Sequence, residues 1–138
     1  MAVLAWPLRE FRAVPRLDRI SLGKAAEDLA CRELRRRGYE ILARRYRTRI
    51  GEIDIIARDG PTVVFVEVKG RTSTRFGSPD EAVNSRKQGR IGLLASDFLA
   101  RRGWFDCACR FDVVAVQFRD DGRTGVEVLS GAFDFAPR

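Results

Sequence analysis

Between residues 22 and 34 the apolar side chains recur at three- and four-residue spacing. Leu22, Ala26, Leu29, Ala30 and Leu34 make one stripe, Arg32, Arg35 and Arg36 fall on other faces, and Gly38 closes the run. That period predicts an amphipathic helix starting near Ser21. It then shortens to two: residues 39–46, 51–58 and 62–69 read as strands, the last two joined by a turn at Asp59, Gly60 and Pro61. Ser78, Pro79 and Glu81 carry a helix-start signal, with serine as cap, proline at the first helical position and glutamate completing a capping box. The second helix should end near Gly103. Residues 110–118 form a strand rich in valine and phenylalanine, and 125–129 a short last one beyond a turn at Asp121 and Gly122.

The order helix, three strands, helix, strand predicts an α/β fold, a central mixed sheet of four to five strands flanked by helices. At 138 residues the chain suits one domain. Residues 1–20, with Pro7, Pro15 and no sustained period, read as an irregular arm, 21–130 as the domain and 131–138 as a tail. No apolar run approaches the roughly 20 residues of a membrane span, and the apolar start is too short for a secretory signal, so a cytoplasmic protein is expected, with no membrane partner. Three cysteines fit reduced thiols better than a disulfide framework, and Cys107 and Cys109 are spaced for core packing rather than for zinc.

Composition narrows the chemistry. A net charge of +7 suits a polyanionic partner, although a basic surface also serves solubility alone. The chain has no histidine. Serine-histidine and cysteine-histidine catalysis, histidine-bearing zinc sites and histidine bases are thereby excluded, leaving carboxylates and lysine.

Those residues stand in unusual places. The strand at 62–69 is apolar at Val63, Val64, Phe65, Val66 and Val68, as for a strand covered on both faces, yet Glu67 and Lys69 share one face at its end. Asp54 interrupts Ile53, Ile55 and Ile56 in the same way. A two- or four-residue loop between the two strands sets Asp54 and Glu67 on one face, and a four-residue loop over 59–62 sets them directly opposite. Two such carboxylates repel unless a cation lies between them, and oxygen donors favour Mg²⁺ or Mn²⁺, with the Val68 carbonyl as a third ligand. Lys69 would orient a water or stabilise charge on a phosphodiester. Taken alone, Glu-x-Lys is more often an ordinary ion pair at a strand end. Glu27, beside the first helix's stripe, and Lys87, on a stripe with Val83, Ile91 and Leu94, are candidate supporting groups, as either could equally reach solvent. Arg71, Arg75, Arg86 and Arg90 are candidate nucleic-acid contacts, extended by Arg44, Arg45, Arg47 and Arg49.

An aspartate, about a dozen residues and then Glu-x-Lys, behind a glutamate-bearing helix, resembles the PD-(D/E)xK, or restriction-endonuclease-like, superfamily. The runs GEIDIIA (51–57), FVEVKGR (65–71), FGSP (76–79) and RFDVV (110–114) together resemble the YraN family of small bacterial predicted endonucleases, related to archaeal Holliday junction resolvases. The resemblance implies a restriction-endonuclease-like core, Asp54 and Glu67 as metal ligands, Lys69 as catalytic lysine, Glu27 as helix carboxylate and a lysine at position 87. Asp112 would support the core. Two departures touch no proposed ligand: Ala26 stands where the family has glycine, and Gly70 where it often has threonine. The expected activity is metal-dependent hydrolysis of nucleic acid, DNA foremost, in branched or single-stranded form, and a homodimer would suit a junction. The competing expectation is a non-catalytic nucleic-acid-binding module on the same scaffold.

Overall fold

The structure is a computed structural model, and it describes residues 9–11, 19–72 and 85–133. The elements run β1 (Arg9–Phe11), α1 (Arg19–Arg36), β2 (Glu40–Arg47), β3 (Glu52–Asp59), β4 (Thr62–Thr72), α2 (Ser85–Arg102), β5 (Ala108–Phe118) and β6 (Thr124–Phe133). The strands form one sheet in the order β1-β6-β5-β4-β3-β2. Only β4 and β5 pair in parallel, with α2 as the crossover, and the other four pairings are antiparallel. The five long strands are the mixed sheet that the pattern predicts. The sixth, Arg9–Phe11, lies within the segment expected to be an irregular arm and pairs with β6 at the sheet edge. β6 also runs farther than expected, to Phe133, within the expected tail. The Ser78 cap, Glu81, Val83 and the FGSP run lie outside the described residues.

Both helices stop by the same device. Gly38 takes a φ of 93° and Gly103 one of 70°, the left-handed region that glycine enters without steric cost. Gly38 N–H donates to Arg35 O and Tyr39 N–H to Leu34 O, and Gly103 and Trp104 repeat this with Ala100 and Leu99. Each is a Schellman ending, which satisfies the last carbonyls of the helix.

The helices cover opposite faces. On the α1 side Ala26, Leu29, Ala30 and Leu34 pack against Ile55, Ala57, Val64, Val66, Val114 and Val116. On the α2 side Ile91, Leu94, Ala95, Phe98 and Leu99 pack against Ile53, Ile56, Val63, Phe65, Phe111 and Val113. β4 is therefore buried on both faces, which accounts for its unbroken apolar run. The cysteines are free thiols, with Cys31 buried and Cys107 and Cys109 packed beside the α2-side core.

A polar network closes the β3–β4 turn end. Asp112 is fully buried and accepts hydrogen bonds from Arg110 Nε at 2.9 Å, Gly131 N–H at 2.9 Å and Tyr39 O–H at 3.4 Å. Arg110 also reaches Asp59 at 3.1 Å. Asp112 thus supports the core, as its resemblance position implies.

Candidate functional site

The β3–β4 hairpin sets the site. Asp59 pairs with Thr62, so the loop is the two residues Gly60 and Pro61, one pair tighter than the four-residue loop but in the same register. The ladder runs to Ile55 opposite Val66, and one step further Asp54 falls opposite Glu67. There the strands part. Asp54 Oδ2 accepts the Val68 N–H at 2.8 Å, so the aspartate side chain takes over from the backbone ladder.

Strict alternation also fails at this point, on two strands at once. Ile53 and Ile56 are three apart, yet both lie in the α2-side core. Ala43 and Tyr46 on β2 do the same, and between them Arg44 and Arg45, though adjacent, both reach Glu27 on α1. The β2–β3 register places Arg44 opposite Ile55 and thus Arg45 opposite Asp54. Arg45 has a φ of 53° and is the one described non-glycine residue with positive φ. That conformation costs about 1 kcal/mol, and such strain persists where surrounding contacts enforce it, often at functional sites.

The electrostatics follow from this crowding. Burial, then the Glu67 carboxylate, and more weakly Glu27 and Glu52, raise the pKa of Asp54 to about 7 against the lowering effect of the Val68 N–H. Burial depresses the Lys69 ammonium, and the neighbouring Lys87 and Arg71 charges depress it further. Glu67, only 13% exposed at its side chain, binds Lys87 Nζ at 2.6 Å. Glu27 is held by Arg45 Nε at 3.1 and 3.2 Å and by Arg44 at 3.3 Å.

The fold therefore brings Asp54, Glu67, Lys69, Lys87 and Arg71 together, with Glu27 on the wall of the same cavity as Asp54 and Val68. Arg90 lies across Gly51, its Cδ 3.1 Å from where a Cβ on that glycine would stand. Arg75 and the Arg86 side chain lie outside the described residues. Sequence reasoning passed over Lys24 and Glu52, which line the cavity, and placed Arg44, Arg45 and Arg47 only on an outer basic surface. Lys24 had a signal, one helical turn before Glu27. The chain's three lysines, Lys24, Lys69 and Lys87, all converge on this end of the sheet.

Among the described residues no three carboxylate, cysteine or histidine side chains converge to cage a metal. The two central carboxylates still suit a hard divalent cation, because Asp54 is buried beside Glu67 and has a single backbone donor to offset its charge.

A mixed sheet between two helices, with an aspartate and a Glu-x-Lys on adjoining strands, defines a restriction-endonuclease-like α/β protein. Residues 26–116 match the family described as uncharacterised protein family UPF0102. The chain belongs to that family, which is the YraN family. It is 49% identical to the UPF0102 protein of Symbiobacterium thermophilum, over 81% of this chain and 95% of that one. It is 47% identical to the UPF0102 protein of Moorella thermoacetica (80% and 93%) and 47% to that of Geobacter metallireducens (84% and 94%). No described helix is long and apolar enough to cross a membrane.

Proposed function

We propose that the protein is a metal-dependent nuclease that hydrolyses phosphodiester bonds, of DNA foremost. The observation that carries this reading is the meeting of Asp54 and Glu67 beside Lys69 where β3 and β4 part, with like charge and burial raising Asp54 to about 7. Asp54, Glu67 and the Val68 carbonyl would hold Mg²⁺ or Mn²⁺. Such an ion, when bound, neutralises phosphate charge and acidifies a water. Lys69, electrostatically coupled to both carboxylates, would orient the attacking water and donate to a phosphoryl oxygen. In the reaction the water gives up a proton as its oxygen bonds to phosphorus, one P–O ester bond breaks, and the leaving oxygen takes up a proton, so that none is gained or lost overall.

One contact favours the competing reading. Lys87 already neutralises Glu67, which a binding module without catalysis could use as a permanent ion pair. Incubation of purified protein with plasmid, single-stranded and branched DNA in Mg²⁺ or Mn²⁺ decides between them. The nuclease reading expects metal-dependent cleavage that Asp54→Ala, Glu67→Ala and Lys69→Ala each abolish while the variants still unfold cooperatively. Salt-sensitive DNA binding with no cleavage in either metal would establish the binding module, and cleavage unchanged in all three variants would falsify the site.

A further inference from the structure

On the α1 side of Asp54 lies a cavity of about 440 Å³, within the range of about 300–1,000 Å³ typical of ligand sites. Three cations line it, Lys24, Arg45 and Arg47, together with Glu27, Glu52 and Asp54. The two arginines are held alike. Arg45 meets Glu27 through Nε, at 3.1 and 3.2 Å to the two oxygens, and Arg47 meets Glu52 through Nε. The terminal Nη groups of both make no hydrogen bond to another described residue, and Lys24 makes no ion pair among them. In each guanidinium a carboxylate fixes the plane from the Nε side, and no described residue hydrogen-bonds to the edge bearing Nη1 and Nη2. That edge is the fork that takes a phosphate through two parallel hydrogen bonds.

The backbone enforces this presentation. Strict alternation would send Arg45 to the α2 face with Tyr46's neighbours, and only its left-handed φ of 53° brings it beside Arg44 onto the α1 face. The same turn returns Tyr46 to the α2-side core against Phe98, so one left-handed residue both completes the packing and aims the Arg45 guanidinium at the cavity, while Arg44 pairs separately with Glu27 and Asp28.

We propose that this cavity is a phosphate subsite, in which the Nη forks of Arg45 and Arg47, with Lys24, grip the nucleic-acid strand next to the bond at Asp54 and Glu67. The proposal rests on the reading that the protein's partner is nucleic acid, but it requires no cleavage. The subsite shares the wall formed by Asp54 and Val68, so a phosphate held there is contiguous with the reaction centre.

The test is anisotropy of a fluorescein-labelled single-stranded oligonucleotide in EDTA, titrated with the full chain over a series of salt concentrations. Arg45→Gly and Arg47→Ala are each expected to weaken binding roughly tenfold at about 0.1 M salt and to lower the slope of log K against log salt by about 1. Glycine relaxes the backbone at position 45, so loss of binding there reports the guanidinium rather than misfolding. Arg47→Ala, at an extended and exposed position, is the independent second variant. Arg58→Ala removes the same charge from the remote end of β3, where Arg58 pairs with Glu40, and is expected to stay within about twofold of wild type. Arg45→Lys should keep the salt slope and lose part of the affinity, because an ammonium has no fork. Wild-type affinity and slope in both arginine variants overturn the subsite, as do losses no larger than that of Arg58→Ala, or failure of the wild-type chain to bind. Because metal is absent, arginine-dependent binding by a protein that never cleaves leaves the subsite standing while the nuclease reading falls. Cleavage whose KM is unmoved by Arg45→Gly does the reverse.

Discussion

Asp54 is a carboxylate placed where its charge costs stability. Burial and the Glu67 charge raise its pKa from 3.8 to about 7. Between those values the folded chain holds a proton that the unfolded chain has released, so stability falls as pH rises through that window and stays low above it. The cost reaches on the order of a few kcal/mol. Asp54→Asn is therefore expected to unfold at a higher temperature than wild type at about pH 8, with the gain fading toward about pH 4. An equal gain at both ends, read by circular dichroism melting, would show that charge is not its source. Saturating Mg²⁺ should raise wild-type stability at about pH 8 and leave the asparagine variant unmoved. The misplacement of Asp54 was legible from three neighbouring isoleucines, whereas its pairing with Val68 N–H was not, because that contact depends on where the β3–β4 ladder stops.

The elements were legible where a single period ran uninterrupted. The α1 stripe buries as its spacing predicts, and Gly38 and Gly103 end the helices at their marked positions. β2 and β3 were legible as strands but not in their faces, because the change of face at Arg44–Arg45 and at Asp54 breaks the two-residue rule. On the other face, Phe98 anchors α2 through edge-on contacts with Tyr46, Phe65 and Trp104 at centroid distances of 5.3, 6.1 and 6.1 Å. Arg102 lies over the same ring at 4.7 Å. Phe98→Ala is expected to cost about 3–5 kcal/mol in urea unfolding. Since α2 also carries Lys87, the loss should loosen the Lys87–Glu67 contact as well. A change below about 1 kcal/mol would mean that α2 is anchored elsewhere.

Across the whole molecule, charge is organised differently at the two ends of β3. Around Asp112 every charge is partnered: Arg110, held far above its ordinary range by hydrogen bonds to Asp112, joins Tyr39 and Asp59 in a closed network. Around Asp54 like charges crowd and three lysines gather. Asp112→Ala leaves Arg110 with Asp59 as its remaining carboxylate and Gly131 N–H without its acceptor, and is expected to cost about 3 kcal/mol. Under the nuclease reading, the metal-dependent rate per folded molecule should stay within about threefold of wild type, and a collapse of that rate in folded protein would place Asp112 in the reaction.

Local pattern by itself determined the order of elements from α1 onward, the doubly covered strand β4, the absence of histidine chemistry and the out-of-place charges Asp54, Glu67 and Lys69. Each of these depends on period or composition within a few residues, which a linear chain displays directly. Tertiary structure alone decided that Lys87 reaches Glu67, that Arg45 turns beside Arg44 to hold Glu27, and that Lys24 and Arg47 share a cavity with Asp54. Those facts arise where two strands part and a helix crosses them, and packing between distant segments, not local spacing, sets which side chains meet there.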